Sequence, residues 1–80
     1  MRVEIKIDFL GEGVDNAVFV RWCASTGEKV AKGDIVCEIE TYKTLLQIEA
    51  PDSGILSDLR YASGDVLNIP AVLGYIETSD

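Results

Sequence analysis

The chain has 80 residues, 48% of them apolar and 26% charged, with two cysteines, no histidine, and 14 acids against 7 bases. That length holds one small domain and excludes a multi-domain enzyme, and a net charge of −7 has the wrong sign for a nucleic-acid surface or an anionic membrane. Without histidine no Ser-His or Cys-His nucleophile can be assembled, and two cysteines supply neither a zinc site nor a disulfide framework, so no catalytic residue and no metal ligand is assigned.

Met1–Gly11 lacks the basic start and apolar middle of a signal peptide, and no apolar run approaches the roughly 18 to 20 residues of a spanning helix. Val3, Ile5 and Ile7 alternate with Glu4 and Lys6, which predicts a strand with one buried face. Gly11-Glu12-Gly13 marks a loop. In Ala17–Cys23, Phe19 and Trp22 are also spaced as helix neighbours, but β-branched Val18 and Val20 in so short a piece favour a strand, bulged if at all. Trp22 is expected in the core.

Ser25-Thr26-Gly27 and Lys32-Gly33-Asp34 are turn signals. Between the second of these and Thr41, Ile35, Cys37 and Ile39 alternate with Val36 and Glu38, predicting a strand whose solvated face carries the latter pair. Cys23 and Cys37 are read as small buried hydrophobes, and Glu38, Glu40 and Glu49 as an outward, solubilising surface that blunts strand edges. A tight turn over Thr41–Thr44 puts Lys43 at its apex and leads into Leu45–Glu49, where inward Leu46, Ile48 and Ala50 leave Leu45 outward, close to Tyr42.

Pro51-Asp52-Ser53-Gly54, Ser63-Gly64-Asp65 and Ile69-Pro70-Ala71 punctuate the remainder. Many short strands with frequent turns predict an all-β sandwich or flattened barrel with antiparallel pairing. A shift of 37 positions lays Gly27-Glu28 on Gly64-Asp65, Ile35-Val36 on Val72-Leu73, Ile39-Glu40-Thr41 on Ile76-Glu77-Thr78 and Val18-Phe19 on Ile55-Leu56. The chain therefore reads as one domain, residues 1–80, built from two halves of approximately 1–40 and 41–80 around a pseudo-two-fold axis, neither able to bury its apolar face alone. Thr41 runs into a turn where its counterpart Thr78 runs to the chain end, so the Lys43 tip and the termini are expected at opposite ends.

On position alone Lys43 is a solvated turn residue. Around it, however, Gly11-Glu12-Gly13, Trp22, Gly27-Glu28, Gly33-Asp34, Glu38-Ile39-Glu40-Thr41, Ile48-Glu49-Ala50-Pro51, Gly64-Asp65-Val66 and Ile76-Glu77 stand in an order and spacing that resembles the lipoyl domains of the acyltransferase components of 2-oxo acid dehydrogenase complexes. The resemblance implies a flattened barrel of two four-stranded antiparallel sheets with lipoic acid in amide linkage on Lys43. It implies a non-catalytic carrier, part of a longer acyltransferase chain, that meets a lipoyl ligase or transferase, a thiamine-diphosphate-dependent 2-oxo acid decarboxylase, the acyltransferase core and dihydrolipoamide dehydrogenase. Bacterial cytoplasm or mitochondrial matrix would suit such a chain. Tyr42-Lys43-Thr44 stands where the family usually has Asp-Lys-Ala, Asn16 and Ala17 replace an acid and a glycine, and Asp8 replaces a proline. Tyr42, Thr44, Leu45 and Glu12 are the candidates for partner recognition. Two other readings are a biotin carrier, which shares the fold but places Met on both sides of its lysine, and an unmodified interaction module.

Overall fold

The computed structural model describes residues 1–79, all in strands, turns and loops. Eight strands follow one another: β1 (Arg2–Ile7), β2 (Asn16–Trp22), β3 (Lys29–Val30), β4 (Ile35–Glu40), β5 (Leu45–Glu49), β6 (Gly54–Ser57), β7 (Val66–Asn68) and β8 (Ala71–Glu77). They form two antiparallel four-stranded sheets, in the orders β1-β8-β6-β3 and β5-β4-β2-β7. Advancing every strand of the first sheet by four positions in the chain gives the second, so each sheet borrows strands from both halves. One core lies between the sheets, with Phe19, Ile39, Leu56, Leu73 and Ile76 wholly buried. An isolated half would leave both faces of its strands unpartnered, which a chain this short cannot afford.

The repeated turns show why the glycine-acid pairs recur. In Ser25–Glu28 the Glu28 N–H donates to the Ser25 carbonyl while the Glu28 carboxylate accepts from the Ser25 N–H; in Ala62–Asp65, 37 residues on, Asp65 does the same with Ala62. Each turn closes through a glycine with φ near +90°, Gly27 or Gly64, a region that side chains with a Cβ seldom adopt. The acid thus satisfies a donor the turn would otherwise leave unpaired.

One expectation is extended and two need correction. The shift of 37 holds for β2 to β4 against β6 to β8, but β1 matches β5 at a shift of 43, since Arg2↔Glu77 corresponds to Leu45↔Glu40. Four of the six extra positions lie in the long β1–β2 loop, residues 8–15, against the short β5–β6 connection, residues 50–53; the other two are the additional residues of β1 and of the start of β2. Second, Val36 does not share a solvated face with Glu38: β4 bulges there against β5, as β8 does at Leu73 against β1, and both bulged side chains are wholly buried. Third, Cys37 is buried but Cys23, just past the end of β2, is exposed. Trp22 is half-buried at the rim of the core; its ring centroid lies 5.1 Å from that of Phe19 and its indole N–H donates to the Tyr61 carbonyl. A bulge in β2 between Phe19 and Arg21 accounts for the mixed spacing of that strand.

Candidate functional site

Four residues, Thr41–Thr44, separate the last pair of the β4–β5 hairpin, Glu40↔Leu45, and the bond from the Thr41 N–H to the Thr44 carbonyl leaves Tyr42 and Lys43 as a two-residue apex. Two-residue hairpins usually need positive φ and hence Asn or Gly. Neither residue here has one, the single positive-φ non-glycine among the described residues being Asp58. Thr41 closes the turn instead: its Oγ1 accepts from the N–H groups of Lys43 and Thr44, both at 3.1 Å, and donates to the Thr44 carbonyl at 3.2 Å, while the Thr41 N–H donates to that same carbonyl at 2.9 Å. The Thr41 side chain is buried beneath the turn, and Tyr42, Lys43 and Thr44 stand exposed above it.

Connectivity fixes where this turn points. Glu40 pairs with Val18 near the start of β2, and Asn16 pairs with Asn68 at the end of β7. Only Ile69 and Pro70 separate β7 from β8, so β8 begins at the lysine pole and its seven residues run roughly 20 Å along the body. At its far end the Thr78 N–H and Oγ1 both donate to the Met1 carbonyl. The longest dimension of the described residues is 37 Å, with Lys43 at one pole and Met1 and Thr78 at the other. Met1 and Thr78 occupy the places that Thr44 and Thr41 occupy at the tip.

The sequence-predicted recognition residues are only partly gathered. Tyr42 is 78% exposed and borders a shallow depression with Gly13, Val14, Asp15 and Asn16, which sets the β1–β2 loop beside the turn. Leu45 is outward and 48% exposed. Glu12 is exposed on the same loop, but among the described residues no hydrogen bond or ion pair ties it to Lys43. The Lys43 ammonium has one neighbour of note, the Tyr42 ring, 5.5 Å from its centroid.

The acids of β4 do not form a uniform solvated surface. Glu38 faces outward but is covered: the guanidinium of Arg21 on β2 donates to its Oε1 at 2.8 Å and the amide of Gln47 on β5 to its Oε2 at 3.2 Å. These bonds, with that to Arg21 foremost, hold the Glu38 carboxyl below the usual carboxylate range. Glu40 is exposed and, among the described residues, has no ion pair or side-chain hydrogen bond. Sequence reasoning also passed over Phe9, which lies 72% exposed on the β1–β2 loop, and over Val18 and Val66, exposed on the outer face of the second sheet; nothing in their local pattern distinguishes them from core residues.

Comparison with known proteins agrees with this geometry. Residues 3–76 match a biotin/lipoyl family model described as "Biotin-requiring enzyme". The chain is 35% identical over 78 residues to the dihydrolipoyllysine-residue succinyltransferase component of the 2-oxoglutarate dehydrogenase complex of Buchnera aphidicola, covering 98% of this chain and 20% of that protein. It is 36% identical over 76 residues to the same component from Cupriavidus necator, covering 95% and 18%. The chain therefore spans about a fifth of the length of these curated relatives. The lipoyl domain of the 2-oxoglutarate dehydrogenase complex from Azotobacter vinelandii superposes with a TM-score of 0.75 at 21% identity, over 94% of this chain and 98% of that one. With two symmetric four-stranded sheets, a lysine-tipped hairpin and a family match running from β1 into β8, the chain belongs to the biotin/lipoyl attachment family.

Proposed function

We propose that the chain is the lipoyl-bearing carrier domain of a 2-oxo acid dehydrogenase complex, with lipoic acid joined in amide linkage to Lys43 Nζ. The observation that carries this is the placement of that amine: exposed on a turn that Thr41 closes with hydrogen bonds, at the pole opposite Met1 and Thr78. The residues present fit such a group. Among the described residues no carboxylate pairs with Lys43, so acylation breaks no ion pair. What is lost with the charge is the contact with the Tyr42 ring, worth only about 0.5–1 kcal/mol at an exposed site. When bound, lipoic acid supplies a dithiolane that takes up and passes on acyl groups and electrons.

The protein's own part is to mount and aim. Thr41 fixes the base of the arm, the two sheets give it a stiff support, and chain leaving the opposite pole can tether the domain without obstructing the tip. A tether raises the local concentration at each partner site toward the millimolar range. The partners are those of the complex: a ligase or transferase that loads Lys43, the 2-oxo acid decarboxylase, the acyltransferase core and dihydrolipoamide dehydrogenase, in a bacterial cytoplasm or mitochondrial matrix. Tyr42 and Thr44, in place of two methionines, favour lipoic acid over biotin. Incubation with a lipoyl ligase, lipoate and ATP should add one lipoyl group by intact mass to the wild type and none to Lys43→Arg, while a biotin ligase with biotin adds nothing. An unchanged wild-type mass with the lipoyl ligase, or loading of the Lys43→Arg protein, would refute the assignment.

A further inference from the structure

Strand register assembles a surface that no single stretch of sequence displays. Leu45, Glu40, Val18 and Val66 face one another across all four strands of the second sheet, just below the lysine turn. All four are exposed, Leu45 by 48%, Val18 by 41% and Val66 by 64%, and Tyr42 caps the row. The pseudo-two-fold axis supplies an internal control. The equivalent row at the terminal pole is Arg2, Glu77, Ile55 and Lys29, and there the Arg2 guanidinium donates to Glu77 at 2.7 Å. The acid and the branched aliphatic residue stand in both rows. At the lysine pole the two flanking cations have become Leu45 and Val66, which leaves Glu40 alone in an apolar strip.

We propose that this strip is a docking face for the decarboxylase partner, and that the partner presents one basic side chain among aliphatic ones, taking for Glu40 the place that Arg2 takes for Glu77. Charge complementarity argues for it: a chain of net charge −7 offers here a single unpaired carboxylate whose symmetry mate shows how a guanidinium seats on it. Apolar surface around an ion pair excludes water and strengthens it. The strip crosses three strand spacings, roughly 14 Å, to one side of the tip. A ligase must enclose the bare amine and so must grip Tyr42–Thr44 itself, whereas a partner reached through an extended arm can dock beside the tip. The inference rests on the carrier reading of Lys43.

The test is a titration of the isotope-labelled, unmodified domain with purified decarboxylase components of 2-oxoglutarate and pyruvate dehydrogenase complexes, read by amide signals. Signals of Val18, Glu40, Leu45 and Val66 should broaden with one of them while Lys29, Ile55 and Glu77 do not. Glu40→Arg and the pair Val18→Ser, Val66→Ser should each weaken binding at least tenfold, and Ile55→Ser should leave it unchanged. All four positions are exposed, and loading of each variant by lipoyl ligase at the wild-type rate verifies its fold. Binding unaffected by these variants, changes confined to the terminal row, no response to either component, variants that slow the ligase alone, or concentration-dependent shifts of the same signals without a partner would each overturn the proposal. A wild type that takes no lipoate removes the carrier reading and this partner with it, an outcome separate from all of those.

Discussion

Replacing Thr41 with valine keeps the branching of the side chain and deletes the hydroxyl that closes the lysine turn. Three contacts go with it, two accepted from the Lys43 and Thr44 N–H groups and one donated to the Thr44 carbonyl, at 3.1, 3.1 and 3.2 Å. A net protein hydrogen bond contributes about 0.5–1.5 kcal/mol, and these are longer than the usual 2.9–3.0 Å or so, which places each near the lower end. The released donors belong to exposed residues and can turn to water, so the full cost of an orphaned group does not apply. The expected loss is about 1–2 kcal/mol, from a total stability of roughly 4–12 kcal/mol for a domain of this size, or a fall in Tm of about 5–15 °C. Thr78→Val, its symmetry mate, breaks one side-chain bond, to the Met1 carbonyl, and should cost about 0.5 kcal/mol. Urea unfolding of both variants, with amide exchange at Lys43, measures the difference. Equal losses, or a larger one at Thr78, would refute the claim that the hydroxyl holds the turn.

Phe19→Ala should cost about 3–5 kcal/mol, because the ring is wholly buried against Trp22 and Tyr61; a thermal melt within a few degrees of wild type would contradict this placement. Glu38, bonded to Arg21 and then Gln47, and Glu77, bonded to Arg2 and then Ser57, have folded-state pKa values below those of free carboxyls. Their contribution is therefore complete above the unfolded value of about 4.3 and lost as pH falls through the lower folded one. Glu38→Gln and Glu77→Gln should each flatten the acid limb of the stability profile, and an unaltered limb in both would argue against these bonds. Burial first, then the nearby Cys23 and Glu38, pushes the Cys37 thiol up to about 12, whereas Cys23 is exposed. At mildly alkaline pH a thiol reagent should label one cysteine rapidly in the folded protein and both in urea; two fast thiols in the folded state would be the contrary result.

The strands, the glycine-acid turns and the tip were legible because each is written locally: alternation in Val3–Ile7, a glycine before an acid in three turns, a lysine between two strand signals. The repeat was legible wherever its two copies have equal length, and it slipped by six residues where the β1–β2 loop outgrew its counterpart. Glu38 was misread because its cover comes from Arg21 and Gln47 on neighbouring strands, a pairing that only register reveals. Val36 was misplaced because a bulge turns two successive side chains inward, and Cys23 because it lies just beyond the strand whose pattern it continues. Of the apolar strip from Leu45 to Val66, alternation in the sequence turned only Leu45 outward, and nothing in it joined the four residues. Its members come from four separate strands, and each alone looks like an ordinary strand residue.

The gap between Met1 and Thr78 is the width of one hairpin, since the bonds there copy those between Thr44 and Thr41. A circular permutant that joins these residues through Tyr-Lys and opens at the exposed Ser25-Thr26 corner would carry a second copy of the tip. Its two amines would point in opposite directions from one rigid rod 37 Å long, giving a ditopic scaffold whose spacing is set by the barrel itself.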